Sequence, residues 1–431
     1  MSVATGRRGL YEVGAIALAA LALASGRPMA KGGFALRDGD RVVFYGDSIT
    51  EARHYTSFVE TYVVTRFPKL DVTFVHSGWG GDGVNGGVGG DIDTRLSRDV
   101  LAYEPTVLTV MLGMNDGGKR PFDAGLFEAY SSGYRHIVDT VRRSRPGIRI
   151  TVLQPSPYDD VTRAADFEGG YNAVLLRYGQ FVKDLAATEQ LTVADLNGPV
   201  VRALTRAKAA DPAAAARLIP DRIHPGPQVT LVMAQALLEA WNAPPTVTAV
   251  QIDAPRKAAS VQVGTRVSGV RAGDGISWTQ EDAALPMPLD VQDPLMALVL
   301  RSSDCVEALD RQPLKLLGLP AGRYVLRIDG APVGSFTSDQ LASGINLAEL
   351  PTPMARQAAE VHALTLEHNA LHWQKWRRYQ VAFAATPSPE LTEALRALDA
   401  LEATVVKRQR EAAQPRPRHY ELRAERSTAA P

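Results

Sequence analysis

Between Arg41 and Trp241 apolar residues fall into two alternating patterns. Short, nearly unbroken runs over Arg41–Tyr45, Val72–Val75, Val107–Leu112, Ile148–Leu153 and Leu191–Asp195 read as strands covered on both faces. Between them the apolar spacing changes to three and four. Tyr55, Phe58, Val59, Tyr62 and Val63 predict a helix that stops before Pro68, and Phe127, Tyr130, Tyr134, Ile137, Val138 and Val141 predict another, ended by Pro146. A last helix is expected from about Val229 to Trp241. Strands alternating with helices imply a parallel sheet with right-handed crossovers. Ligands of such sheets bind beyond the carboxyl ends of the strands.

Asn242-Ala243-Pro244-Pro245 breaks this rhythm. Residues 244–336 show short strands and turns, including a hairpin over Tyr324–Val333 that reverses at Asp329-Gly330, and predict a small β-sandwich. Thr352-Pro353 and Ser388-Pro389 are each a capping residue followed by proline at the first helical position. They open two long helices, so 337–411 is expected to be a helical hairpin, its second helix aligning Leu391, Leu395, Leu398, Leu401 and Val405. The tail 412–431, rich in Pro, Arg and Glu, is expected to be partly disordered. At the other end, Arg7-Arg8 precedes the apolar run Ala15–Ala24, shorter than the roughly 20 residues a bilayer span needs. With a small-x-small exit at Ala22-Leu23-Ala24, residues 1–30 read as a signal peptide. The protein is therefore expected outside the cytoplasm, secreted or periplasmic, with no stable membrane span after cleavage; the arginine pair hints at twin-arginine export, although its flanks fit that route poorly.

The 431 residues suffice for two or three folding units. Lys+Arg and Asp+Glu both number 47, so overall charge gives no reason to expect nucleic acid as a partner. The single cysteine, Cys305, excludes an internal disulfide and reads as inert.

Candidate chemistry concentrates in 31–243. Gly46-Asp47-Ser48 follows the first strand and puts a hydroxyl on a strand-to-helix turn. Gly78-Trp79-Gly80-Gly81-Asp82-Gly83 matches a dinucleotide fingerprint formally, but further glycines follow and make it a loop rather than a helix start. Such a loop lets backbone N–H groups approach a substrate oxygen. Gly113-Met114-Asn115-Asp116 ends the third strand and can project the Asn115 amide toward Ser48. In Asp221-Arg222-Ile223-His224, an Asp three residues before a His can hold Nδ1–H and leave Nε2 free for a serine proton. Asp47 is the other carboxylate near Ser48, and its adjacency favours a structural role. His368 and His372 have a metal-ligand spacing, but no Glu follows His368, so no metal site is predicted.

In this order the four motifs resemble the SGNH hydrolases, or GDSL lipases/esterases, whose naming residues are found here as Ser48, Gly81, Asn115 and His224. The resemblance covers roughly residues 40–242. It implies a flavodoxin-like three-layer α/β/α sandwich with strand order 2-1-3-4-5, ester hydrolysis by Ser48, His224 and Asp221 without a cofactor, and an oxyanion hole of Ser48 N–H, Gly81 N–H and the Asn115 amide. Gly78 or Gly80 remains an alternative donor to Gly81. His76 departs from the family, many members of which carry asparagine there. Trp79 and Tyr158 offer flat rings for a sugar, or simple packing. The expected substrate is a short-chain acyl ester, an acetyl ester above all, on a small molecule or a polysaccharide. A lipase or phospholipid acylhydrolase, and a catalytically inactive glycan-binding protein, are the alternatives.

Overall fold

The apolar run after Arg41 becomes β1 (Arg41–Gly46), flanked on both sides in a five-stranded parallel sheet, and Val42, Val43, Phe44 and Tyr45 have no exposed surface. A computed structural model describes residues 33–273 and 275–425; the signal-peptide reading of 1–30 lies outside them. The other strands are β2 (Thr73–Gly78), β3 (Val107–Met111), β4 (Arg149–Leu153) and β5 (Thr192–Ala194), in the order β2-β1-β3-β4-β5. All pairings are parallel. Helix α2 (His54–Arg66) and α7 (Thr230–Ala240) pack together on one face, and α4 (Ala124–Ser144) and α5 (Gly170–Glu189) on the other, completing a three-layer α/β/α fold. Register aligns Gly46 with Gly78 and with Met111, so the chain leaves β1, β2 and β3 at one level. That shared edge brings three of the sequence motifs together.

The boundary at 242–245 is less clean than the sequence suggests. Residues 287–309 return to the α/β core: α8 (Pro294–Ser302) and α9 (Cys305–Leu309) bury Leu298, Val299, Cys305 and Leu309 within it. Helix α8 lies against α6 (Gly198–Ala210), and α9 lies against α7. The Cys305 thiol donates to Gln235 Oε1 at 2.9 Å, and burial pushes it up to about 12, so it is not a nucleophile at neutral pH.

Two further sheets share a second core. One contains β6 (Ala249–Asp253), β7 (Ala258–Val263), β10 (Pro313–Leu317) and β13 (Ile345–Asn346). The other has the order β8 (Thr265–Ala272), β9 (Gly275–Asp282), β14 (Arg418–Ala424), β11 (Arg323–Ile328), β12 (Ala331–Thr337). Here the expectation of a partly disordered tail from 412 does not hold for its described residues, 412–425: residues 418–424 are the middle strand of five. Composition misled because charge outweighed pattern. In His419-Tyr420-Glu421-Leu422-Arg423 the alternate residues Tyr420 and Leu422 are fully buried, Tyr420 stacking on Trp278 at 4.9 Å. Each such burial stabilises by about 1.5–3 kcal/mol, and ladder hydrogen bonds to the strands on both sides add to it.

The helical hairpin starts at 353, not 337, after the two-turn helix α10 (Ser338–Ser343). Helix α11 (Pro353–Trp373) continues into a π-helical segment, Gln374–Val381, and is followed by α12 (Pro389–Ala412). Both prolines are preceded by side-chain caps, Thr352 to Ala355 N–H and Ser388 to Leu391 N–H. The leucine stripe of α12 does not form the expected buried face. Leu401 is 51% exposed, and only Val405, Gln409 and Ala412 are buried. What anchors α12 is polar. Glu60 of α2 receives Gln409 Nε2 at 2.9 Å and lies 3.0 Å from both His76 Nε2 and His368 Nδ1. Glu402 in turn meets His368, His372 and Lys375.

This buried cluster makes stability depend on pH. Burial disfavours charge on His368, but Glu60 and Glu402 outweigh it and raise the imidazole to about 10. A group protonated more tightly in the folded state stabilises fully below its unfolded value of 6.5, and that contribution fades as pH rises toward about 10. Melting temperature is therefore expected to fall by several degrees across this window, and His368→Gln to flatten the slope. A slope unchanged in that variant would show that His368 is not its source.

Candidate active site

Ser48 begins α1 (Ser48–Glu51), a single turn capped by Asp47, whose carboxylate accepts Ile49 N–H at 3.0 Å. Burial, opposed by that hydrogen bond, pushes Asp47 up to about 7. Asp47 is thus a buried cap and not the partner of the imidazole. Gly78, at the end of β2, abuts this turn, and a Cβ there would lie 2.1 Å from Glu51 N. Only glycine permits so close an approach of two backbones.

Ser48 Oγ lies 2.8 Å from His224 Nε2, although the two are 176 residues apart. His224 Nδ1 lies 2.5 Å from Asp221 Oδ2. The other oxygen, Oδ1, accepts the N–H groups of Ile223 at 3.0 Å and His224 at 2.8 Å. Burial opposes ionisation of Asp221, but these hydrogen bonds prevail and hold it at about 2. The hydroxyl, imidazole and carboxylate therefore form one continuous chain, with Nδ1 turned to an ionised acceptor.

The loop carrying His224 is fixed from the side. Arg222 adopts a left-handed φ of 72°, its carbonyl accepts Asp159 N–H at 2.8 Å, and its guanidinium lies over Tyr158 and pairs with Asp166 at 2.5 Å. Tyr158 is only 7% exposed, hydrogen-bonded to Asp166 at 2.7 Å and edge-on to Tyr171. Its ring is not a free platform for a sugar; it braces the loop. Trp79 is similarly unavailable. It is 8% exposed, with the Arg377 guanidinium 3.4 Å from its ring centroid and Trp376 against it at 5.5 Å. Both rings belong to packing, because cations of neighbouring segments cover the faces a sugar would need.

Beside Ser48, the second loop turns at Gly81 with φ of 82°. Gly80 N–H is committed to Glu51 Oε2 at 2.7 Å. Asn115 donates one Nδ2–H to the Asp82 carbonyl at 2.9 Å. Asp82 is buried, bound to Arg95 of α3 (Ile92–Asp99) at 2.6 Å and to Gly89 N–H at 3.0 Å, which fixes the loop from beneath. Gly81 and Asn115 border a cavity of about 250 Å³, also lined by Gly83, Asp116, Leu126 and Tyr130. A larger one of about 650 Å³, lined by Glu60, Thr73, His368 and Arg410, touches none of Ser48, Gly81, Asn115 or His224. His76, the departure from the family pattern, is absorbed structurally between Thr56 Oγ1 at 2.7 Å and Glu60 at 3.0 Å. His368 and His372 are engaged with Glu60 and Glu402. Sequence reading missed Glu51 and Arg377. Glu51 lies one helical turn after Ser48, a spacing that could have flagged it, whereas nothing local marks Arg377.

Residues 44–229 match the model of the GDSL-like lipase/acylhydrolase family. An acetylxylan esterase of Geobacillus stearothermophilus is 24% identical over 224 residues, 46% of this chain and 93% of that protein. A solved structure described as BT4096, a gut microbial diltiazem-metabolizing enzyme, is 27% identical with a TM-score of 0.78, covering 90% of this chain and 98% of that one. Over residues 44–229 the chain is similar to the SGNH hydrolases, and it is an ester-bond hydrolase. The second likeness extends across the β region and hairpin as well.

Proposed function

We propose that the chain is an exported serine esterase that removes short acyl groups, acetyl above all, from hydroxyl-bearing substrates such as carbohydrates. The observation that carries this reading is the unbroken Ser48–His224–Asp221 chain at 2.8 and 2.5 Å. In it His224 Nε2 takes the Ser48 proton as Oγ attacks the carbonyl carbon, and Asp221 steadies the imidazolium that forms. Negative charge then develops on the carbonyl oxygen. The N–H groups of Ser48 and Gly81 and the second Nδ2–H of Asn115 receive it. His224 passes its proton to the departing alcohol, and the acyl-enzyme is released by water through the same groups in reverse.

The acetylxylan esterase relative supports a carbohydrate acetyl ester, and the Arg7–Ala24 segment supports export. Among the described residues no helix is long and apolar enough to cross a membrane. Turnover of p-nitrophenyl esters is expected to be highest with acetate and to decline with chain length, and acetate is expected to be released from acetylated xylan. A preference for long acyl chains would replace this reading with the lipase.

A further inference from the structure

The glycine-rich loop that supplies Gly81 is gripped by the C-terminal hairpin. Glu51, on the same turn as Ser48, accepts Gly80 N–H through Oε2 at 2.7 Å. Its Oε1 accepts Arg377 Nη1 at 2.7 Å and Trp373 Nε1 at 3.4 Å. Arg377, 326 residues beyond Glu51, also stacks on Trp79. Trp376 packs edge-on against the same ring and donates to Asp99 at 2.7 Å. Trp376 and Arg377 belong to the π-helical segment Gln374–Val381, and Trp373 immediately precedes it. Such segments are rare and recur at functional sites.

A loop containing Gly80 and Gly81 has no side chain of its own to hold its peptides, and glycine has the most backbone freedom to lose. An oxyanion donor nevertheless needs an orientation fixed to within about 10–20°. Glu51 supplies that reference from the turn carrying the nucleophile, and Arg377 with Trp373 fixes Glu51. Because Gly80 N–H is consumed in this contact, Gly81 is left as the donor of the pair.

We propose that the C-terminal hairpin is a working part of the active site, with Arg377 acting through Glu51 as a positioning residue for the Gly81 N–H. The inference rests on the serine-esterase reading above. Releasing one glycine peptide, to be reordered at each transition state, costs on the order of tenfold to thirtyfold in rate. In Arg377→Ala and in Glu51→Gln, kcat for p-nitrophenyl acetate is expected to fall by that factor, with KM within about threefold. The inhibition constant of a trifluoromethyl ketone, whose adduct carries the oxyanion, is expected to rise in step with the loss in kcat/KM. Arg377→Lys is expected to recover part of the loss.

Unchanged kcat in either folded variant overturns the proposal, as does a fall in kcat that leaves ketone inhibition untouched. Should Arg377→Ala not fold, Glu51→Gln decides alone, since it keeps the shape of the side chain. Ser48→Ala, assayed in parallel, separates the two levels. Activity surviving there overturns the esterase reading itself, whereas an inactive Ser48→Ala beside a fully active Arg377→Ala overturns only the role of the hairpin.

Discussion

Replacing Ser48 with alanine is expected to lower kcat for ester hydrolysis by roughly ten-thousandfold or more, the usual consequence of removing the nucleophile of such a triad. Melting temperature should barely move. Ser48 is only half-buried, and its hydroxyl contacts a single side chain, His224, which is itself 44% exposed and can bind water instead. Loss of activity with the fold retained is therefore the signature sought. A fluorophosphonate probe should label the native protein at Ser48 and leave the variant unlabelled. Undiminished turnover by Ser48→Ala, or labelling at another residue, would remove the hydroxyl from the mechanism.

Asn115→Ala is expected to lower kcat by roughly a hundredfold to a thousandfold, equivalent to about 2.7–4 kcal/mol of transition-state stabilisation. The ground state has less to lose. One Nδ2–H rests on the Asp82 carbonyl at 2.9 Å, and forfeiting a hydrogen bond of this kind costs about 1 kcal/mol of stability. In the proposed mechanism the other proton meets charge only when the carbonyl oxygen becomes an oxyanion, so KM is expected to change little while kcat collapses. Asn115→Asp should be at least as damaging, since it aims a negative charge at the developing one. Equal loss in kcat and binding, with a large fall in melting temperature, would mean that Asn115 holds the loop and nothing more.

The central sheet was readable because its inner strands β1, β3 and β4 are buried on both faces, and burial of that kind leaves a mark no turn or amphipathic helix imitates. Helix α5 carried no such mark at its start. Gly169 and Gly170 both have positive φ, and no side chain caps the first turn, so the entry looks like a loop although Tyr171, Val174, Tyr178 and Val182 repeat at helical spacing behind it. The four motifs could be read because Ser48, Gly81, Asn115 and His224 each lie at or near the end of a strand or the start of a helix, where local sequence fixes position. For Trp79 and Tyr158 the sequence left a sugar platform and simple packing both open, for the opposite reason. Whether an aromatic face is open depends on what crosses it, and Arg377 and Arg222 arrive from elsewhere in the chain. The return of α8 and α9 to the first core was likewise a tertiary decision, invisible in a stretch whose neighbours on both sides read as strands.

The placement of β14 has a consequence during synthesis. Strands β9 and β11 do not pair with each other; each pairs with β14, whose His419 lies 90 residues beyond its partner Asp329. Until that late segment has been made, both strands present bare N–H and C=O groups, and the closing loop delays their capture. Unpaired edges of this sort are templates for other chains. A neighbouring copy is therefore expected to compete with β14 for these edges during synthesis, over an interval that slower growth of the chain lengthens.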